Sequence, residues 1–399
     1  MSSITSLEDV KLSNRQVILQ QMRHLGPASC TQLAKKTHLS KATVSRILSQ
    51  MIDEGLIEEV RTSKSGVGRP NVLLQLAARA RHAVGIELTS NYARISLTDI
   101  NAHPLKQRIQ PLYNQDVEQT VIQLAMVVKE LARGLSQTQL AGVGIAVPGM
   151  VDSKRGIVSM ELPSGWQDVP LVEHLEEFTG LPVSVINQAQ AAAWGEKWNG
   201  KDQSISDLLY IRLGTVVDAG LVINGHLHSG KTLTAGAIGH MTLDPGGVEC
   251  SCGNHGCLNT VASTPAILAS TRALIKDERT SLMMGMVDGN PSLLTLDHLM
   301  QAVHAGDDLA IRVVNATGRA VGVIVASLFN LLNLEKVILG GPFSAAGNAL
   351  LFPLQDEVSR RALPSVMVYG RIELSGLGAD AASIGAASLV LRDPVYSHD

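Results

Sequence analysis

Residues 240–260 read HMTLDPGGVECSCGNHGCLNT and place three of the chain's four cysteines within eight positions. His240 stands ten residues before the first of these cysteines. Together, His240, Cys250, Cys252 and Cys257 offer one nitrogen and three sulfurs, a complete tetrahedral ligand set for Zn²⁺ that leaves no position for water. The stretch therefore predicts a structural zinc site with one ion per chain.

The glycines of the same stretch suit a loop that turns sharply. Gly253 and Gly256 let the chain bring two of the cysteines to one ion, and Gly239 lets the backbone pass close beside His240. The alternative is that these are buried, unpaired cysteines. The remaining cysteine, Cys30, lies on the inner side of a predicted helix, and we interpret it as part of a hydrophobic core.

The overall composition is that of an ordinary globular protein. The chain has 399 residues, a net charge of −3, 17% charged and 45% hydrophobic residues, which is enough for two or three domains. The first residues, MSSITSLEDVKLSNRQ, contain no apolar core of the signal-peptide kind, so we expect a cytoplasmic protein. Thiols stay reduced in the cytoplasm, which argues against a disulfide framework and favours metal binding by clustered cysteines.

Charge is distributed unevenly along the chain. From Lys11 to Arg81 there are twelve Lys and Arg against four Asp and Glu, a balance of +8 that leaves −11 for the remainder. A basic N-terminal module suits nucleic-acid binding, because Lys and Arg neutralise phosphates and release counterions. The alternative is a solvated basic surface.

The pattern of apolar residues in this basic module predicts helices. The stretch NRQVILQQMRHLG repeats apolar residues with a helical period and closes on a glycine: Val17, Ile18, Met22, Leu25 and Gly26. Residues 29–59 then predict two short helices joined at THLS, with Ser40 as the N-cap of the second. The apolar face of that second helix consists of Val44, Ile47, Leu48, Met51 and Ile52.

The opposite face of the second helix carries small, hydroxyl and basic residues: Lys41, Ala42, Thr43, Ser45 and Arg46. Such a face can approach base edges in the major groove. Two strands around a Gly-rich tip follow at 56–76, and the tip offers Lys64 and Arg69 to a minor groove. The module is therefore predicted to be a winged helix-turn-helix; the alternative is a small helical cap on an enzyme.

From His82 onward the pattern changes to strands followed by alternating helices and strands. A strand meander, a helix at 117–133 and the buried strand LAGVGIAVPGMV come first, and LPVSVINQAQAAAWGEKW is a strand followed by a helix. The same order then repeats, from DLLYIRLGT to a terminal helix in GADAASIGAASLVL. Two α/β lobes with a cleft between them are therefore expected.

Six motifs, in order and spacing, carry a resemblance to a known family: GVGIAVPGMVD, SGWQDVPL, INQAQAAAWGE, LGTVVDAG, GH…CSCGNHGCL and VILGGP. Over nearly its whole length the chain resembles the ROK family of sugar kinases and sugar-responsive repressors. Its N-terminal module makes it similar to the repressor branch, which includes glucose-responsive and N-acetylglucosamine-responsive bacterial repressors. The resemblance implies an actin-like, ribonuclease-H-like fold of two lobes and a homodimer or tetramer.

The patterns divide the chain into three predicted parts. Residues 1–81 form the winged helix-turn-helix domain, 82–194 the first α/β lobe, and 195–399 the second lobe with the zinc loop. The terminal helix is expected to return to the first lobe.

Three positions depart from the family's sugar-binding pattern. Where the family has an Asp that acts as general base on a sugar hydroxyl, this chain has Gln188, and where it has two Glu residues the chain has Ala237 and Asn259. An amide cannot accept a proton as a carboxylate does, so no catalytic residue is assigned. The ligand-binding residues implied by the resemblance are Gly149, Asn187, Gln188, Ala237, His240 and Asn259.

The nucleotide-binding motifs are altered as well. GIELTSN replaces the family's Asp-x-Gly-Gly-Thr pattern, and LGTVVDAG has valines and an aspartate where glycines let backbone amides hold phosphate. Asp218 is expected to repel a phosphate.

These features predict a ligand-responsive transcription factor, specifically a repressor of carbohydrate metabolism genes. It is expected to bind a palindromic operator through paired recognition helices. The alternatives are an active sugar kinase with an accessory domain and a regulator controlled by a protein partner such as a sugar transporter. Gln188 and Asn259 each bring an amide NH₂ donor, and Ala237 opens space, so the sequence favours an acidic or bulky sugar derivative as ligand.

Overall fold

The structure is a computed structural model that describes residues 7–61, 72–112, 116–161, 165–201, 204–276 and 281–392. The chain forms two compact units. Unit 1 comprises residues 1–188 and 383–399, and unit 2 comprises residues 189–382. Unit 2 is thus a continuous segment inserted into unit 1, whereas the sequence analysis divides the lobes at 194/195 and treats 1–81 separately.

The N-terminal part of unit 1 is a winged helix-turn-helix of three helices and two strands: α1 (Leu7–Leu25), α2 (Cys30–Thr37), α3 (Lys41–Asp53), β1 (Ile57–Arg61) and β2 (Val72–Leu76). Ser29 caps α2 in a capping box with Gln32. Ser40 caps α3 by accepting a hydrogen bond from the N–H of Thr43 at 3.1 Å, as the sequence predicts. The two strands pair antiparallel, and the tip residues Lys64 and Arg69 lie outside the described residues.

The core of this domain departs from the sequence pattern at one helix. Ile18 and Met22 of α1 are buried, but Val17 is 36% exposed and the buried neighbour is Leu19, at 1%. Val17 and Leu19 lie about 100° to either side of Ile18 around the helix. The other helices pack against the side of α1 that carries Leu19. The apolar pattern of α1 alone does not predict which of the two sides is buried. Cys30 is half-buried and packs against the same core.

The remainder of unit 1 is built on a five-stranded sheet in the order β10-β6-β3-β4-β5. Its strands β3, β6 and β10 are parallel, and β3, β4 and β5 are antiparallel. A smaller antiparallel sheet contains β7, β8 and β9. The element bounds are β3 (His82–Leu88), β4 (Tyr92–Thr98), β5 (Pro104–Pro111), α4 (Val117–Leu131), β6 (Leu140–Val147), β7 (Met150–Asp152), β8 (Ile157–Glu161), β9 (Trp166–Val169), α5 (Leu171–Thr179), β10 (Val183–Asn187) and α6 (Gln188–Asn199).

Unit 2 repeats this strand arrangement in the order β13-β12-β11-β14-β15, with β11 to β13 antiparallel and β11, β14 and β15 parallel. The repetition predicted from the sequence is therefore confirmed. The bounds are β11 (Leu208–Leu213), β12 (Val217–Ile223), β13 (His226–Leu227), α7 (Asn259–Ala262), α8 (Thr264–Leu274), α9 (Leu282–Met286), α10 (Leu296–His304), α11 (Asp308–Leu332), β14 (Lys336–Gly340), α12 (Asn348–Arg361), β15 (Arg371–Leu374) and α13 (Ala381–Arg392).

Helix α11 is the central helix of unit 2. Among the described residues it alone is long and apolar enough to cross a membrane, yet 61% of its most apolar window is buried. Its buried residues, including Val314, Val321 and Phe329, belong to the main hydrophobic core of the unit. Its apolar character is therefore that of a core helix.

Helix α13 lies directly on the sheet of unit 1. A Cβ atom added to Gly85 would stand 1.8 Å from the carbonyl oxygen of Ser383, and one added to Gly144 would stand 1.9 Å from that of Ala386. The neighbouring residues Val84 and Ile86 point to the other face of the sheet, into the core that contains α4. Gly85 of β3 and Gly144 of β6 are partners in the parallel strand pair. Together they form a seat for the backbone of α13.

This seat generates a stability prediction. In Gly144→Ala the new methyl group meets the backbone of α13, which has to move, so we expect a loss of about 1–3 kcal/mol in the free energy of unfolding. The urea midpoint of the purified protein, followed by circular dichroism, measures the loss. Gly285→Ala is the matched control, because a Cβ atom there meets no atom within 4 Å. Equal midpoints for the two variants would contradict the proposed close packing.

Candidate functional site

The cluster predicted from the sequence is assembled in unit 2. The donor atoms of His240, Cys250, Cys252 and Cys257 all lie within 4.8 Å of one another. The two sulfurs of Cys252 and Cys257 are 3.7 Å apart, and the sulfur of Cys250 lies 3.7 Å from Nδ1 of His240. Two sulfurs bound to one tetrahedral zinc ion at about 2.3 Å would be about 3.8 Å apart. The spacing of the donors therefore fits a metal ion of this kind.

Short turns of the backbone bring the four ligands together. A 3₁₀ helix, Ile238–His240, presents His240, and the carbonyl oxygen of Cys250 accepts the N–H of Gly253 at 2.8 Å. Gly256 has a φ of +63°, and a Cβ atom there would stand 1.5 Å from the carbonyl oxygen of Asp244. Only glycine fits this position, which is directly before Cys257.

The thiols of the cluster differ in acidity. Burial raises the pKa of Cys250, but hydrogen bonds from the backbone and side chain of Cys252 and from other members of the cluster lower it to about 7. Burial and the neighbouring thiols Cys252 and Cys250 raise the pKa of Cys257 to about 12. A cation at the centre of the cluster would stabilise the thiolate form that metal binding requires.

Two of the predicted ligand-binding residues lie in unit 1, where β10 ends and α6 begins. Asn187 donates from its amide Nδ2 to the carbonyl oxygen of Gly149 at 2.9 Å. Gln188, at 2% exposure, donates from Nε2 to the carbonyl oxygen of Leu88 at 2.5 Å. One N–H of the Gln188 amide, which the sequence predicts to face a ligand, is therefore engaged by the end of β3. Sequence reasoning missed Leu88, since a backbone acceptor leaves no signal in residue type.

The other predicted ligand-binding residues lie in unit 2 beside the cysteine cluster. Asn259 accepts the N–H of Val217 through Oδ1 at 2.8 Å, so its oxygen is used to fix the start of β12. Ala237 and His240 are exposed at either end of the 3₁₀ helix, and Asn259 is half-buried. The amide at 259 therefore has a structural contact in addition to any role in binding.

The stretch LGTVVDAG, which the sequence predicts to be an altered phosphate-binding turn, joins β11 and β12. Arg212 and Asp218 are directly opposite each other in this strand pair, and Arg212 is 9% exposed. Oppositely charged residues at such positions stand close enough to interact. Arg212, which sequence reasoning missed, therefore stands across the strand pair from Asp218, the residue expected to repel phosphate.

Helix α3 presents the face predicted to contact DNA. Lys41, Ala42, Ser45 and Arg46 are exposed and Thr43 is half-buried, while Val44, Ile47, Leu48 and Met51 are buried. Ser40 is further held by its hydroxyl contact with Thr43 at 2.9 Å. The first turn of α3 is therefore well defined, with two basic side chains in solvent.

Comparison with known proteins gives matches to both parts of the chain. Residues 83–393 match the ROK family, and residues 13–64 match the MarR family. A putative xylose repressor from Caldicellulosiruptor sp. (strain Rt8B.4) is 31% identical over 392 residues, with 96% of each chain covered.

Two solved structures are also similar. A ROK family transcriptional regulator described as a homologue of the E. coli MLC protein has a TM-score of 0.82 at 27% identity, covering 96% of this chain and 97% of the other. A ROK family glucokinase from Streptomyces griseus, solved with glucose and AMPPNP, has a TM-score of 0.70 at 28% identity, covering 77% of this chain and 98% of its own. The similarity to the regulator thus extends over the part of the chain that the glucokinase does not match.

Proposed function

The chain belongs to the ROK family, and from that premise we propose that it is a DNA-binding transcriptional repressor of carbohydrate genes that responds to a sugar or sugar derivative. The observation that carries the proposal is the winged helix-turn-helix, which has a hydrophobic core and shares one compact unit with the first part of the ROK domain. The similarity to repressors along 96% of the chain supports it. The protein would act in the cytoplasm, where its operator lies.

Operator recognition is assigned to α3. Arg46 and Lys41 are exposed on its outer face and can reach base edges and phosphates in the major groove. Two copies of the chain would place two such helices on a palindromic operator, either as a homodimer or within a tetramer. The tip residues Lys64 and Arg69 are proposed to add contacts in the adjacent minor groove.

The sugar-binding residues are proposed to be those that the resemblance implies, Asn187 and Gln188 in unit 1 and Ala237, His240 and Asn259 in unit 2, together with Gly149. One N–H of the Gln188 amide already donates to Leu88, so at most one N–H of that group remains to bind a ligand. An acidic or bulky sugar derivative stays the proposed ligand, with a neutral sugar as the alternative. Control by a transporter protein in place of a sugar is the alternative that an effector screen tests.

The ROK domain is proposed to be inactive as a kinase. The general base of the family is replaced by Gln188, and an amide whose Nε2 donates to a backbone carbonyl cannot take up a proton from a sugar hydroxyl. An aspartate at this position could not donate to Leu88, because an ionised carboxylate is an acceptor only.

The cysteine cluster is proposed to bind one structural zinc ion. One imidazole nitrogen and three thiolates would fill its coordination, so the ion would hold the loop at 240–257 and take no part in chemistry. His240 would then have two roles, as a ligand of the zinc ion and as one of the proposed sugar-binding residues.

Metal analysis tests this assignment. Freshly purified protein should contain about one zinc per chain, and Cys252→Ser or Cys257→Ser should lose it together with a large part of the thermal stability, since structural zinc binding is coupled to folding. Cys30→Ser is the control, because Cys30 lies in the winged helix domain and should leave zinc content unchanged. Stable, freshly purified protein without zinc would refute the proposal.

Gel-shift titration tests the recognition helix. Arg46→Ala should cost about 1–3 kcal/mol on the operator and relax base preference at the position it reads. Lys64→Ala should weaken matched and mismatched DNA about equally and reduce the salt dependence. An equal loss on both kinds of DNA for Arg46→Ala would exclude a base-reading role for that residue.

A coupled assay with ATP and a panel of hexoses tests the absence of kinase activity. Neither the natural chain nor Gln188→Asp should show turnover above background, because the substitution restores a carboxylate but leaves the altered turn between β11 and β12. It also loses the hydrogen bond to Leu88, and the variant should be less stable. Turnover in the natural chain would overturn the proposal, and turnover in the variant alone would show that Gln188 is the single block.

A further inference from the structure

Arg23 connects the DNA-binding domain to the opposite end of the sequence. It lies on α1, and its Nη2 donates to the carbonyl oxygen of Leu391 at 3.1 Å, across 368 residues. Leu391 is in the last turn of α13, where carbonyl groups have no partner within the helix and carry partial negative charge. Burial lowers the pKa of Arg23 to about 10, which still leaves the guanidinium charged at neutral pH. The contact is therefore a charge-assisted cap on the end of α13.

A second contact holds the same domain against the ROK fold. Ile100, in the turn between β4 and β5, is 1% exposed and belongs to the hydrophobic core of the winged helix domain, with Ile18 and Met22. Asp99 fixes this turn by accepting the N–H groups of Asn101 and His103, each at 2.9 Å. The winged helix is thus attached at two separate points rather than tethered by its linker alone.

Helix α13 leads from these contacts back toward unit 2. Its first residues, Ala381 and Ala382, belong to unit 2, and it belongs to unit 1 from Ser383 onward. Along its length it is held by the glycine seat and by the contact between the hydroxyl groups of Ser383 and Ser96, 3.1 Å apart in the buried interior. From Ser383 onward, α13 is therefore packed along its length against the sheet of unit 1.

The segment that leads into α13 is held by a buried carboxylate. Glu196, on α6, is 4% exposed, and its Oε1 accepts the hydroxyl of Ser375 and the N–H of Leu377, at 2.5 and 3.2 Å. Ser375 in turn accepts the N–H of Gly378 at 2.9 Å. Residues 375–378 are therefore positioned by α6.

Helix α6 begins at the proposed effector residues. Gln188 is its first residue and also the last residue of the first segment of unit 1, whereas the rest of the helix belongs to unit 2. Glu196 follows eight residues later, about 12 Å along the axis at the usual rise. The chain passes from one unit to the other in α6 and again in α13. Glu196 connects these two helices, because it lies on α6 and holds the segment that leads into α13.

We propose that α6, Glu196, residues 375–378, α13 and Arg23 form the coupling path by which occupation of the effector position changes DNA binding. A ligand that alters the start of α6 changes the hold of Glu196 on residues 375–378, and α13 passes the change to the carbonyl group that Arg23 binds. Glu196 and Arg23 are positioning residues that touch neither sugar nor DNA. The inference rests on the proposed function for its effector and its operator.

Hydrogen exchange of the full chain, without any sugar or DNA, tests the path directly. Glu196→Met removes the acceptor for Ser375 and Leu377 and should raise exchange in residues 375–378 and also in the last turn of α13 and in α1, although these lie far away in sequence. Ser375→Ala removes the other partner of the same hydrogen bond and should give the same pattern, and the double variant should add little. Faster exchange that stays within residues 375–381 in both variants would overturn the proposal.

Operator binding with and without sugar tests the consequence for function. The natural chain is titrated with operator DNA alone and with millimolar D-xylose, D-glucose or N-acetylglucosamine, and the affinity ratio is typically about 5- to 150-fold where two sites are coupled. Arg23→Met and Glu196→Met should keep sugar binding, measured by calorimetry, and operator binding without sugar, but bring the ratio close to one. Arg15→Met is the matched control, because Arg15 is on the same helix and pairs with Glu54 inside the winged helix domain.

The outcomes separate the two proposals. A ratio in Arg23→Met equal to that of the natural chain would overturn the coupling path while leaving the repressor function intact. If the natural chain binds no operator, the proposed function is wrong; if none of the three sugars changes operator binding, the proposed effector is wrong. In either case the hydrogen-exchange pattern still tests the coupling path.

Discussion

The close contact between the backbone of α13 and the strands β3 and β6 is the constraint on which the architecture depends. Carbonyl oxygens of the helix occupy the space where side chains of the sheet would stand, so two strand positions have to be glycine. The contact makes the end of the chain part of unit 1 and places Leu391 beside Arg23. The DNA-binding domain thus contacts the last described helix, which is itself seated on β3 and β6.

The amide of Gln188 fits the hydrogen-bonding surroundings of its position. A carboxylate at position 188 would have to face the carbonyl oxygen of Leu88 with another acceptor, whereas Gln188 donates to it and is buried there. The amide therefore holds the start of α6 against the end of β3. Asn259 has a comparable structural contact, because its oxygen accepts the N–H of Val217 at the start of β12. Both side chains thus fix backbone groups of the ROK domain.

Local chemistry explains which features could be predicted from the sequence. The cap at Ser40, the cluster of His240 with three cysteines and the repeated order of strands follow from residue type and spacing over short distances, and the structure contains them. The choice between Val17 and Leu19 depends on which neighbour covers α1, and the partner of Gln188 is a backbone group. The contact of Arg23 with Leu391 joins residues 368 positions apart. The residue pattern of neither helix predicts this contact.

The insertion of unit 2 into unit 1 has a consequence for the order of folding during synthesis. Residues 189–382 form one continuous segment and can fold once they have left the ribosome. The packing of unit 1 is completed only when α13, which follows that segment, has been synthesised. Its contacts, such as Ser96 with Ser383 across 287 residues, are among those that form slowly because a long loop has to close. The DNA-binding domain emerges before the helix that Arg23 contacts. Its contact with α13 therefore forms only after unit 2 and that helix have been synthesised.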